Sequence, residues 1–311
     1  MATRSAIETP CDLIMAEGFD GELDRLKAFL AAWVEGSSRE MRPLLDWQFL
    51  GRSKYFRPLT VFACHAAVCT DAIDEDKIRA AAAIEMVHNV TLIVDDILDR
   101  SRFRRDLLTL HCRFGLLPAL MAAGYIAADA YELLNHHPFA GRQVSGLFRR
   151  LAVAETLQWR LRRQPLGIED WRILANEDTG SMFEACACLG TGDETLRTYG
   201  GLLGALYHAC DDVADVKGAT ALGGGGEEDI RDGILTLPAA IAIREAETAL
   251  LFRNPTPGAQ KALLKKLQAA LPAAERYLDA LAAQAEAEAH RAACAPEVLI
   301  KLVRNTRQLS S

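Results

Sequence analysis

Residues 80–99 read AAAAIEMVHNVTLIVDDILD and residues 199–215 read YGGLLGALYHACDDVAD. Each stretch is apolar on nearly all sides and then ends in aspartates spaced Asp-Asp-x-x-Asp. A helix without a polar face belongs at the centre of a bundle. Around these stretches Ala and Leu recur at three- and four-residue spacing, while the alternation and tight turns of strands are nearly absent. The chain therefore reads as all-α. Predicted helices cover Glu22–Val34, Phe56–Cys69, Lys77–Leu98, Pro118–Leu134, Gly146–Arg163, Ile168–Cys188, Glu194–Val216, Leu235–Phe252, Ala259–Ala270 and Pro272–Ala293. No linker or change of composition divides the sequence, so residues 1–311 are expected to form a single domain.

With half of the residues hydrophobic and a quarter charged, there is ample material for a core, which excludes a disordered chain. The net charge of -7 offers no general attraction to nucleic acid or anionic lipid, so an anionic ligand would need a local basic patch or a metal. The eight cysteines, at 11, 64, 69, 112, 186, 188, 210 and 294, have no paired Cys-x-x-Cys spacing and read as reduced thiols. The first residues lack a signal-type apolar core, and no run is long enough to span a membrane. A cytoplasmic protein is expected. Gly223–Gly226 follows no strand and lacks Gly-Lys-Ser/Thr, so it reads as a mobile loop rather than a nucleotide cradle.

In VDDILD, Asp95 and Asp99 stand one above the other on a helix with Asp96 alongside, and like charges at that spacing repel. One such cluster could be a solvated helix end. The second, Asp211, Asp212 and Asp215, repeats it at the end of another apolar helix, where bare carboxylates are costly. Hard oxygen donors without His or Cys suit Mg2+, which takes one or two protein carboxylates together with substrate phosphates. All six aspartates are metal candidates. Lys54 and Arg57 in GRSKYFRP, and Arg104 and Arg105 in RSRFRRD, supply the charge a phosphate needs.

In order along the chain, SKYFRP, EMVHNVTLIVDDILDRSRFRRDLLTLH, YHACDDVADVKG and DIRDGILTLP resemble the motifs of the trans-isoprenyl diphosphate synthase (polyprenyl synthetase) family, from about Gly51 to Pro238. The resemblance implies a large helical bundle of the isoprenoid synthase type with a central active-site cavity, and a homodimer. It implies that Lys54, Arg57, His88 and Arg105 hold isopentenyl diphosphate. Asp95, Asp99, Arg104, Asp211 and Asp215 would hold an allylic prenyl diphosphate through magnesium, with Thr179, Tyr207 and His208 also at the substrate. In the implied chemistry the allylic carbon becomes cationic, the alkene attacks it, and the departing diphosphate takes the proton.

Several positions depart from the family. Asp178 in NEDTG stands where a lysine is usual, Ile234 replaces another, and GGGGEED lacks a third. All three would contact allylic diphosphate, and Lys217 and Arg231 are the nearby residues that could compensate. His208 stands for glutamine, Tyr125 for aspartate and Tyr55 for arginine. Val90 and Thr91, one turn before the first cluster, are not large aromatics, which predicts a product of C20 or longer unless Met121 and Tyr125 close the pocket from the next helix. Two rival functions are a terpenoid synthase acting on one prenyl diphosphate and a non-catalytic subunit of an active synthase. The residues assigned to isopentenyl diphosphate speak against the first, and the intact aspartates against the second.

Overall fold

The computed structural model describes residues 18–49, 53–104, 107–218, 226–254 and 256–310. Arg105, Cys11 and most of the Gly223–Gly226 segment lie outside them. The chain begins with α1 (Asp20–Gly36), α2 (Arg42–Gln48), α3 (Phe56–Val68) and α4 (Glu75–Leu98). A short ribbon, β1 (Phe103–Arg104) and β2 (Leu107–Leu108), precedes α5 (Leu110–Phe114), α6 (Leu116–Glu132) and α7 (Pro138–Leu161). Then come α8 (Ile168–Ala175), a π-helical turn at Asn176–Gly180, α9 (Ser181–Thr191) and α10 (Arg197–Lys217). The remainder is α11 (Gly226–Asp232), α12 (Leu237–Ala242), α13 (Ala246–Arg253), α14 (Pro257–Ala292), α15 (Glu297–Arg307) and a closing 3-10 turn at Gln308–Ser310.

The fold is all-α as the sequence predicts, and the two aspartate helices are its centre. Asp74 starts α4 by accepting the backbone N–H of Lys77 at 2.9 Å, and Glu75 and Asp76 follow where the helix dipole favours acids. Beyond this first turn α4 is buried almost throughout, from Ile78 to Val90. It packs on α1, α3, α6 and α9, while α10 packs on α9, α14 and α15. α9 thus lies between the helices that carry the clusters.

Gly200 and Gly204 let α10 approach so closely. A Cβ on Gly200 would stand 2.4 Å from the carbonyl oxygen of Phe183, and one on Gly204 would stand 2.7 Å from that of Thr179 and 2.8 Å from Gly180 Cα. Backbone atoms of a packed helix cannot yield cheaply, so these positions accept no side chain.

Four differences from the sequence reading have physical causes. Pro272 does not end a helix: α14 runs through it, because Leu263, Leu267, Ala274, Leu278 and Leu281 form one buried stripe on both sides. The segment Leu235–Phe252 is two helices, broken where Glu245 turns extended at the start of α13. The predicted Ile168–Cys188 helix contains the π turn at NEDTG. The ribbon and helices α2, α5, α11 and α15 escape the reading. The ribbon has only two residues per strand, and α15 rests on Leu299, Leu302 and Val303 packing against the bundle.

Gly204→Ala is expected to destabilise the protein by about 1–3 kcal/mol in urea unfolding, the usual cost of overpacking. An unchanged midpoint would contradict this account of the α9–α10 contact.

Candidate active site

Both clusters sit at helix C-termini, where the dipole is negative and acids are disfavoured. α4 ends in a Schellman turn: the Ser101 N–H bonds Asp96 O at 2.9 Å and the Arg100 N–H bonds Ile97 O at 3.3 Å. Arg100 occupies the left-handed position at φ 56°, a strain that glycine would avoid. The chain then folds back through β1, and Arg104 Nε donates to Asp96 Oδ1 at 2.8 Å. Asp96 is buried, so this bond fixes one carboxylate of the first cluster.

Asp212 has a parallel place in the second cluster. Its Oδ2 accepts Trp171 Nε1 at 2.8 Å and the Leu237 N–H at 2.7 Å, tying α8 and the start of α12 to α10. Asp96 and Asp212, both candidate metal ligands by sequence, thus already anchor the frame. Asp95, Asp99, Asp211 and Asp215 are each at least partly accessible.

The clusters face one another through residues the sequence reading did not single out. Burial pushes the Asp229 carboxyl well above its ordinary range, and Asp212, Asp215, Asp211 and Asp99 add to the shift. Asp95 is raised in the same way by burial and then by Glu155, Asp178 and Asp99, with Arg104 opposing. Glu155 is pushed up to about 7 by burial, Asp178 and Asp99. Asp211 also reaches about 7 through burial, Asp215 and Asp212, while His208 and Lys54 oppose. Asp229 therefore senses both clusters at once. In sequence, Glu155 reads as one acid on an amphipathic helix and Asp229 as one of several acids after a glycine run; only the DIRDG motif could have flagged the latter.

The basic residues take two sides. Lys54 lies near Asp211, and on α3 an Arg57 terminal nitrogen stands 3.0 Å from His88 Nε2 on α4. Arg57 Nε is buried without a hydrogen-bond partner, and its guanidinium lies 5.7 Å from the centre of the Phe183 ring. Phe56, Phe183 and Tyr207 cluster beneath with centroids 5.2–5.6 Å apart, Phe56 stacked on Tyr207 and Phe183 tilted against both. Thr179 Oγ1 stands 2.9 Å from His208 Nδ1, and Asp178 Oδ2 lies 3.6 Å from the same nitrogen. The two departures at 178 and 208 are therefore neighbours, an acid beside an imidazole.

Lys217 is directed elsewhere: its Nζ bonds Ser310 O at 2.5 Å and Glu275 at 2.6 Å, closing the C-terminus on α10. Arg231 pairs with Asp232 through Nε and a terminal nitrogen at 2.9 and 3.0 Å. Val90 is buried and Thr91 half-buried, its hydroxyl donating to His88 O. Met121 is 52% exposed and lies on the outside of the chain, and Tyr125 Oη meets the Ser38 N–H at 3.5 Å. Neither geometry places a plug beneath the first cluster.

The polyprenyl synthetase family profile matches residues 40–271. The chain belongs to this family. It is 28% identical over 305 residues to nonaprenyl diphosphate synthase of Mycobacterium tuberculosis, covering 92% of this chain and 90% of that one. It is 25% identical to geranylgeranyl pyrophosphate synthase 4 of Arabidopsis thaliana, covering 79% and 75%. In fold it is similar to heptaprenyl diphosphate synthase of Staphylococcus aureus, with a TM-score of 0.85 at 16% identity over 94% of this chain and 98% of that one. It is also similar in fold to the polyprenyl synthase of Caulobacter crescentus complexed with calcium and isoprenyl diphosphate, with a TM-score of 0.83 at 24% identity over 99% of each chain. These likenesses place the polyprenyl synthetase fold around the two aspartate helices.

The raised acids give a pH signature. In chelator, the folded protein holds protons on Asp211 and Glu155 up to about pH 7, whereas the unfolded chain releases them near pH 4, so stability falls as pH rises through that window. Asp193, Asp232 and Glu275 are shifted downward and act only below it. The thermal midpoint should drop between about pH 5 and pH 8, and Asp211→Asn should flatten the fall. A midpoint that climbs across this range would contradict the assignment.

Proposed function

We propose that this chain is a magnesium-dependent prenyltransferase that joins isopentenyl diphosphate to an allylic prenyl diphosphate, releasing a longer trans-prenyl diphosphate of C20 or more. The convergence of both aspartate clusters, with Asp229, on one space flanked by Lys54 and the Arg57–His88 pair carries this reading.

The residues fit a divalent cation. Carboxyls there are raised first by burial and then by one another, and a cation would let them ionise together. Among the described residues no three acids, histidines or cysteines form a ready-made cage. Magnesium does not require one, since it keeps waters and shares substrate phosphates. Asp95, Asp99, Asp211 and Asp215 would hold it, while Asp96 and Asp212 keep the frame and can offer their remaining lone pairs. When bound, magnesium neutralises charge on the leaving diphosphate.

The chain's own residues do the rest. Lys54, Arg57, His88 and Arg105 hold isopentenyl diphosphate, with His88 accepting from Arg57. Arg104, Thr179 and His208 border the allylic side. The allylic C–O bond breaks with its electrons passing to diphosphate, the alkene of isopentenyl diphosphate forms the new C–C bond, and the diphosphate takes the proton. Tyr207, stacked on Phe56 and tilted against Phe183, presents a π-face to the cationic carbon and helps exclude water. Val90 and Thr91, neither a large aromatic, put no bulky floor one turn before the first cluster.

The same reading takes residues 1–311 as one isoprenoid synthase domain that works in the cytoplasm and binds no nucleic acid. The seven described cysteines are unpaired, and no described helix is long and apolar enough to cross a membrane. A homodimer is supported by α6, which exposes Leu116, Leu117, Leu120 and Met121 on one face at 41–67%.

Purified protein with Mg2+, isopentenyl diphosphate and the C5, C10 or C15 allylic diphosphate should release diphosphate and yield products of C20 or longer. No release with any of them would overturn the reading, and a C15 endpoint would overturn the length. Asp95→Ala should lower kcat by about 100-fold or more, the scale of one preorganised electrostatic contact. Light scattering should give twice the chain mass for the wild type and, for Leu117→Arg, the single-chain mass; a wild-type monomer would contradict the dimer.

A further inference from the structure

Arg162 follows the last turn of α7 and belongs to no family motif in the sequence. Its terminal nitrogen donates to Asp99 Oδ1 at 3.1 Å, and its guanidinium carbon lies 4.0 Å from the centre of the Trp159 ring. The side chain is 18% exposed, and its Nε is buried without a hydrogen-bond partner. Glu155 and Asp232 also feel its charge. It therefore stands where the first cluster meets the segment after the second.

The backbone holds it there. Arg163, at φ 60°, gives its N–H to Gly233 O at 2.8 Å, and its side chain bonds Arg231 O. Gly233 is itself at φ 72°, and a Cβ on it would stand 2.4 Å from Arg163 Cγ. The end of α7 is thereby locked on the end of α11. Of the other cations near the site, Arg104 serves Asp96, Lys217 the C-terminus and Arg231 Asp232, Lys54 lies near Asp211 and Arg57 beside His88, while Arg100 and Arg102 line the same cleft as Asp99 and Arg162.

Resting on the prenyltransferase reading above, we propose that Arg162 binds the diphosphate of the allylic substrate, supplying the positive charge that Asp178, Ile234 and the glycine run do not. In the protein without substrate its charge is set against Asp99. When Asp99 turns to a divalent cation, the guanidinium fork becomes available to phosphate oxygens, for which its paired N–H groups are shaped. Trp159 beneath it keeps the plane oriented, so arginine rather than any cation is required.

The test compares wild type, Arg162→Ala and Arg162→Lys in two ways: KM for each substrate, and calorimetric titration of inorganic pyrophosphate with Mg2+. Arg162→Ala should raise the allylic KM and weaken pyrophosphate binding by about tenfold or more, with the KM for isopentenyl diphosphate within about twofold, and Arg162→Lys should recover only part. If the ion pair merely holds α7 to α4, both KM values will move together and pyrophosphate affinity will stay within twofold; either result overturns the proposal. Should Arg162→Ala fail to fold, Arg162→Lys alone decides, since wild-type pyrophosphate affinity in it contradicts the role. A wild type that binds pyrophosphate but makes no product defeats the condensation reading, and the titration still judges Arg162. A wild type that does neither defeats both.

Discussion

Carboxylates that cannot all ionise together govern this structure. Asp95, Asp211 and Asp229 are raised by burial and by other acids of the same space, Glu155 and Asp178 among the neighbours, and two of the three lie at the negative ends of buried helices. Without other requirements such an arrangement would be replaced by apolar side chains at a gain in stability. Much of the surrounding geometry exists to hold it. Gly200 and Gly204 bring α10 against α9, Trp171 and Leu237 fix Asp212, and Arg104 folds back on Asp96.

The part of this that was legible in the sequence is the part encoded locally. Apolar runs that end in aspartates identify the central helices because burial and charge conflict within a few residues of each other. Lys54, Arg57, His88 and Tyr207 were legible through ordered motifs, and the structure brings Arg57 to His88 and Tyr207 to Phe56. Glu155, Asp229 and Arg162 were not: Glu155 is one acid on an amphipathic helix, Asp229 one of several acids after a glycine run and Arg162 one of three arginines in RLRR, and each acquires meaning only from what packs opposite. Helix ends were misread for a related reason: Pro272 is overruled by a buried stripe that continues on both sides of it, and α15 is stabilised by contacts distant in sequence.

The departures from the family motif also look different in three dimensions. Asp178 and His208 replace different residue types at separate positions, yet they meet across the π turn with Thr179 between them. A wide turn in that place shifts the side chains of NEDTG relative to a regular helix. The residues that sequence proximity offered as compensating cations, Lys217 and Arg231, are engaged by Glu275 with Ser310 and by Asp232. Lys217 is turned to the C-terminus, whereas Arg231 lines the same cleft as Asp99 and Arg162 but is committed to Asp232.

The central claim is that the two aspartate clusters form one site, bridged by divalent metal and diphosphate. A crystal structure of the protein grown with Mn2+ and inorganic pyrophosphate, with anomalous maps at the manganese edge, tests it directly. The account predicts manganese peaks against Asp95 and Asp99 and against Asp211 or Asp215, with one pyrophosphate between them. Pyrophosphate at a surface site, or metal at one cluster with the other still closed on its own protons, would contradict it.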